Sequence, residues 1–184
     1  PFVLGKDSLI IGFDVTPEGT PIPTGTIIDA TFESVGVMFS AVVLNGPYAG
    51  QATNTQTLDF SVSPNGDATQ PAISSPNILS AVDPVLGPAY SGHVAGTATL
   101  YVNFVTPDGQ PGFVHSVGAF NDLIFGHNTL SAWSLPDGTG TLLGQVDATG
   151  PGDFFGLYST VGISSITFSG LSTEVDDLVF SPVV

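Results

Sequence analysis

Imidazoles and carboxylates are the groups through which this chain could do chemistry, and their spacing argues against most of it. His93, His115 and His127 are the histidines, and none stands in H-x-H, H-E-x-x-H or another ligand spacing. Structural roles are expected of all three, not a shared zinc or copper site. No G-x-S-x-G elbow is present, so a hydrolase-type serine lacks its strained turn. A glycosidase needs two carboxylates across a cleft, but sixteen acids make some pair inevitable, so that signal is empty. There are no cysteines, hence neither disulfides nor thiolate metal sites. Catalysis is not expected.

Two kinds of binding chemistry remain. Asp176 and Asp177 are adjacent carboxylates in an otherwise apolar stretch, and Asp14 ends the first apolar run. Ca²⁺ takes six to eight oxygen ligands, and Asp14, Glu18, Glu33, Asp176 and Asp177 are the candidate cage. The alternative is that one of the paired aspartates faces water while the other accepts backbone N–H bonds. Saccharide binding would use exposed aromatic rings beside polar groups, and Trp133, Tyr101 and Tyr158 are the candidates. Trp133 alternates out of phase with Leu130 and Ala132, which turns it outward, and Tyr101 shares the polar side of its segment. Tyr48, Tyr90 and Tyr158 fall in or near loops.

The balance of charge selects partners. Lys6 is the only basic residue against sixteen acids, a formal net charge of −15. Nucleic acid and anionic membrane surfaces are excluded, because both need many Lys or Arg to neutralise phosphates. Cations, sugars and sister molecules are the partners left. Charged residues are 9% of the chain against roughly 25% in an average domain, so Ser, Thr, Asn and Gly must cover the surface. No apolar run reaches the ~18 residues of a membrane-spanning helix. No n-region or h-region precedes Pro1, so a signal peptide is expected to have been removed or to lie outside this sequence.

The elements that must position these groups are strands. Gly and Pro punctuate the whole length and no helical apolar stripe survives them, whereas period-two alternation is frequent. Ala98, Leu100, Val102 and Phe104 point one way, and Thr99, Tyr101 and Asn103 the other. Val35, Val37, Phe39 and Ala41 form a second inward set, and Leu58, Phe60 and Val62 a third. Near the C-terminus Val175, Asp177 and Val179 oppose Asp176, Leu178 and Phe180. Strands are expected over about 8–14, 35–44, 56–62, 96–106, 112–120, 128–135, 141–147, 153–158, 161–169 and 174–181. Pro64-Asn65-Gly66, Pro107-Asp108-Gly109 and Pro136-Asp137-Gly138 repeat one turn pattern, with glycine at the left-handed position. Ser63 to Pro88 reads as a long connection. Ten short strands without helices imply one all-β domain over 1–184, a two-sheet antiparallel β-sandwich of jelly-roll type.

Several segments resemble secreted bacterial proteins that carry a PEP-CTERM sorting tail. Phe13-Asp14, Pro17 to Ile22 and Phe32 to Phe39 are similar to their "FD-x-x-P-x-GT-x-I … Y-x-S-x-GV-x-F" opening. Ser75 to Leu79 and Val114 to Phe120 continue the likeness. Leu130-Ser131-Ala132-Trp133, Asp137-Gly138, Leu143-Gly144, Phe154-Phe155-Gly156, Ile163 to Phe168 and Val175 to Phe180 resemble "LTAYD-x-x-G-x-LLG … FFG … I-x-x-I-x-F … DDL-x-F". The resemblance implies export, a jelly-roll domain like a carbohydrate-binding module, and residence in a matrix or on a cell surface. It also implies that calcium would sit where the first and last strands meet. In that family a Pro-Glu-Pro motif, a membrane helix and a basic tail follow the domain, where this chain ends at Ser181 to Val184. It supplies a location, not an activity.

The expectation is therefore a non-catalytic extracellular structural protein, a subunit that self-assembles into a fibre, sheath or matrix, with calcium as a possible stabiliser. Residues 1–7, with Phe2, Val3 and Leu4 at their heart, are the candidate assembly arm, adding to a neighbour's sheet edge; an edge strand within their own sheet is the alternative. The second function is a carbohydrate-binding module that attaches to extracellular polysaccharide.

Overall fold

In a computed structural model, residues 7–43, 50, 52–53, 55–59, 77–81, 98–121, 128–150, 152–170 and 174–184 are described. The strands are β1 (Leu9–Ile11), β2 (Val37–Val43), β3 (Ala52–Thr53), β4 (Thr55–Asp59), β5 (Asn77–Ala81) and β6 (Ala98–Phe104), followed by β7 (Val114–Asn121), β8 (Thr129–Leu135), β9 (Thr139–Asp147), β10 (Phe154–Ile163), β11 (Ser165–Gly170) and β12 (Glu174–Phe180). One sheet has the order β10-β7-β12-β5-β4, with β1 also on β12; the other runs β3-β2-β6-β11-β8-β9. All pairings are antiparallel. The expected two-sheet β-sandwich is what forms, with the chain crossing repeatedly between its sheets.

Alternation dictates the layers. In the second sheet the registers align Phe39, Val102, Ile166, Ala132 and Gly144 in one row, and Ala41, Leu100, Phe168, Leu130 and Val146 in another. All but Gly144 belong to the core or pack on its margin, except Ala41, which is buried beside it. The first sheet answers with Val117, Ala119, Phe155, Val175, Leu178 and Phe180. Aromatic rings join the layers edge to face, Phe155 on Phe168 at 5.8 Å, while Phe104 meets Phe180 at 5.6 Å. Each fully buried ring contributes roughly 1.5–3 kcal/mol through the water it leaves.

Several expectations need correction. Ser63 to Pro88 is not all connection, because β5 pairs with both β4 and β12; its adjacent Ile78 and Leu79 are both buried and so break the two-residue period. The first strand is shorter than 8–14, since Phe13 takes φ 59° and ends it. Val35 is not a strand residue but closes a 3₁₀ turn over Glu33–Val35, which Gly36 at φ 97° terminates. The break between the tenth and eleventh strands falls at Ser164, not at 159–160.

The last strand carries the largest surprise. Asp176 pairs with Phe120, yet Val179 pairs with Gly118, so one extra residue is inserted. Asp177 absorbs it at φ 43°. Past this bulge the phase flips: Val175 points into the core before it, Leu178 and Phe180 after it. The expected opposition of Val175, Asp177 and Val179 to Asp176, Leu178 and Phe180 therefore does not run unbroken through the strand.

Candidate functional site

The outer face of the second sheet follows from the same registers. Met38, Asn103, Ser165, Trp133 and Leu142 form one row across it. Ser40, Tyr101, Thr167, Ser131 and Gln145 form the next, and Val42, Thr99, Ser169, Thr129 and Asp147 the third. Strand geometry places alternate residues outward, and here those are hydroxyls, amides, two aromatic rings and the apolar Met38, Val42 and Leu142, with Asp147 as the single charge in the three rows.

The small polar groups beneath these rings are satisfied from above. Trp133 Nε1–H donates to Thr167 Oγ1 at 3.2 Å. Gln145 Nε2 donates to Ser131 Oγ at 3.1 Å. Ser165 Oγ donates to the Leu135 carbonyl at 2.6 Å and accepts the Gly138 N–H at 3.0 Å. Ser165, Ser131 and Thr167 are buried as a result, although they lie on the outward side.

The β8–β9 turn supplies part of this cover. Asp137 at φ 57° and Gly138 at φ 63° complete the Pro-Asp-Gly pattern, as Gly109 does at φ 75° in the sister turn. Asn103 and Asp137 clasp one another: Asn103 Nδ2 donates to Asp137 Oδ1 and the Asp137 N–H donates to Asn103 Oδ1, both at 2.8 Å. The turn thereby lies against Tyr101 and Thr167, so close that a Cβ on Gly138 would meet Thr167 Cγ2 at 2.8 Å. Tyr101 and Trp133 stay half-exposed on either side of Thr167, with Leu142 open beside the indole. This is a fixed aromatic platform on a nearly neutral polar field.

Two of the three predicted saccharide residues are thus brought together, and the third is not. Tyr158, 63% exposed, lies not in a loop but within β10, opposite Ser116 in the other sheet. Membership of an edge strand in the opposite sheet is not written in local alternation.

The five predicted calcium ligands do not converge. Among the described residues no three His, Asp or Glu side chains gather into a group that could hold a metal. Asp14 Oδ1 accepts the Asn77 N–H at 2.8 Å. Glu18 is exposed in the turn closed by Thr16 and Thr20. The Glu33 carboxylate reaches over Gly109, where Oε1 stands 2.9 Å from the position of an added Cβ. Asp176 and Asp177 are buried at the bulge, and Asp176 Oδ1 accepts the Asp177 N–H at 2.8 Å. The meeting of first and last strands is nonetheless a polar junction. β1 and β5 lie end to end along one side of β12, with the bulge between them. Asn77, wholly buried, donates there to the Ile22 and Phe13 carbonyls at 2.8 and 3.3 Å and accepts Thr24 Oγ1–H at 3.0 Å. Sequence reasoning missed Asn77, because nothing in its local pattern distinguishes it from a loop asparagine.

His115 Nδ1 lies 3.0 Å from the Ser159 carbonyl and its ring meets Phe113 edge-on, a packing role. His93, His127, Tyr48, Tyr90, the Pro64-Asn65-Gly66 turn and the arm residues Phe2, Val3 and Leu4 lie outside the described residues. Among the described residues no helix is long and apolar enough to cross a membrane.

No family model matches the sequence, and no curated protein matches it. Among solved structures, a cleaved adhesin domain of Lys-gingipain superposes with a TM-score of 0.51 at 13% identity, over 95% of this chain and 99% of that one. A family 32 carbohydrate-binding module from C. perfringens NanJ, in complex with galactose, aligns at 13% identity with a TM-score of 0.38, over 79% of this chain and 93% of that one.

Proposed function

We propose that this chain is a non-catalytic extracellular module that attaches to neutral polysaccharide through the outer face of its second sheet. The observation that carries the proposal is the placement of Tyr101 and Trp133, held half-exposed on one face to either side of Thr167. Sugar rings present flat C–H faces to aromatic side chains and hydroxyls to amides and carboxylates, and this face offers both. Its rigidity lowers the entropy lost on binding, since the indole is tethered and the adjoining turn is clasped. A chain with sixteen acids and a single lysine repels anionic polymers, which favours uncharged glycans over acidic ones. The domain of Lys-gingipain that shares this fold is an adhesin, and attachment is the corresponding role for this chain.

The fibre or sheath expected first from the sequence rests on Phe2, Val3 and Leu4. No feature of the described residues favours it over attachment. Electrophoresis of the protein through gels containing neutral polysaccharides, beside its Trp133→Ala variant, tests the proposal.

A further inference from the structure

Where β9 passes into β10 the chain leaves one sheet for the other, and a cleft of about 470 Å³ opens at that end of the sandwich. Its walls include Val146, Asp147, Thr149, Asp153 and Phe154. The volume falls within the range of small-molecule sites, and the construction beneath it exceeds what a simple connection needs.

Two buried asparagines hold residues 148–150, 152 and 153 in place. Asn121 accepts the Gly152 N–H at 2.7 Å through its carbonyl, and its own N–H donates to the Asp153 carbonyl at 3.0 Å. Asn121 Nδ2 donates to the Gly150 carbonyl at 3.0 Å. Asn128 Nδ2 donates to Asn121 Oδ1 at 2.8 Å, while its carbonyl accepts the Ala148 N–H at 2.9 Å. The bonds of Asn121 and of the Asn128 Nδ2 and carbonyl hold this turn as a wall. On the rim Thr149 Oγ1 donates to Asp153 Oδ2, and Asp147 Oδ1 accepts Thr129 Oγ1–H at 2.6 Å.

The aromatic wall is equally constrained. Phe154 packs edge-on against Phe120 at 5.0 Å and lies over Gly118, where an added Cβ would come 2.4 Å from its Cζ. A fixed ring, a hydroxyl, an aliphatic side and two carboxylates recognise a ligand that offers many hydrogen-bond donors and one apolar face. No lysine or arginine stands among the described residues to attract an anion.

We infer that this cleft is a second saccharide site, separate from the Trp133 platform, that takes a single terminal sugar ring. The ligand class rests on the proposed glycan attachment; the location does not. Together the two sites would let one domain hold a chain along its length and at its end.

Amide NMR of the ¹⁵N-labelled full chain, titrated with glucose, galactose and N-acetylglucosamine, tests this. The single tryptophan gives one indole resonance that reports the platform, while the amides of Thr149, Gly150, Gly152 and Gly156 report the cleft. We expect saturable shifts of the cleft amides with at least one sugar. These should persist in Trp133→Ala and weaken at least tenfold in both Asp147→Asn and Phe154→Leu, with the remaining spectrum unchanged. Movement of the indole alone overturns the cleft and leaves the platform standing. Silence of the cleft amides with all three sugars overturns the inference, and the platform is judged separately by its retardation in polysaccharide gels. Cleft shifts with putrescine but with no sugar show an ammonium site instead and also overturn the inference.

Discussion

The indole N–H of Trp133 donates to Thr167 Oγ1 at 3.2 Å, across the boundary between β8 and β11. Because Trp133 pairs with Ser165 and Thr167 with Ser131, the indole leans diagonally by one step of the outward row. Thr167 is thereby buried although it faces outward, and the ring is locked in the attitude that the platform needs. Thr167→Val keeps the shape and removes the acceptor. A net hydrogen bond is worth about 1 kcal/mol, so urea denaturation should show a loss near that size, and glycan affinity should fall severalfold while Trp133 remains present.

Asn77 ties the segment after β1 to the start of β5. Asn77→Ala removes its three side-chain bonds, to Phe13, Ile22 and Thr24, and should cost about 3 kcal/mol in urea denaturation. Asn77→Asp should cost more, because it places an oxygen against the Phe13 and Ile22 carbonyls. A milder effect from Asp than from Ala would show that these bonds are not what holds the junction.

The bulge in β12 depends on a left-handed residue. Asp177 sits at φ 43°, a region open to Gly and tolerated by Asp and Asn but poorly accessible to β-branched side chains. Asp177→Val should destabilise by about 2 kcal/mol and Asp177→Gly by less than about 1 kcal/mol. Thermal unfolding of the two variants side by side checks the order.

Gly118 admits no side chain. A Cβ there would lie 2.8 Å from the Phe155 carbonyl oxygen, a backbone atom that cannot swing aside, besides striking Phe154. Gly118→Ala should cost about 1–3 kcal/mol through overpacking. Wild-type stability in denaturant titration would show that the edge strand β10 moves freely.

Much of the fold can be read in the sequence because burial enforces alternation. Ala98, Leu100, Val102 and Phe104 face inward as their period demands, with Tyr101 and Asn103 opposite. Alternation fails where the backbone inserts a residue. Val175 to Phe180 can be read in two phases, and only the pairing with β7 reveals that both apply, one on each side of Asp177. The platform was half legible. Outward phase marks Trp133 and Tyr101 separately, but their proximity depends on strand order, β6 and β8 each pairing with β11, and no local pattern encodes that order. The same dependence misgrouped Tyr158. The cleft escaped notice because its framework, Asn121 and Asn128, consists of asparagines that sequence spacing cannot separate from turn formers.

Attachment to neutral polysaccharide is tested most directly by affinity electrophoresis of the wild-type chain and Trp133→Ala through gels cast with a broad panel of uncharged glycans. At least one gel should retard the wild type, and the variant should run as freely there as in a gel without glycan. Equal retardation of the two proteins, or free migration of the wild type through every gel, would contradict the account.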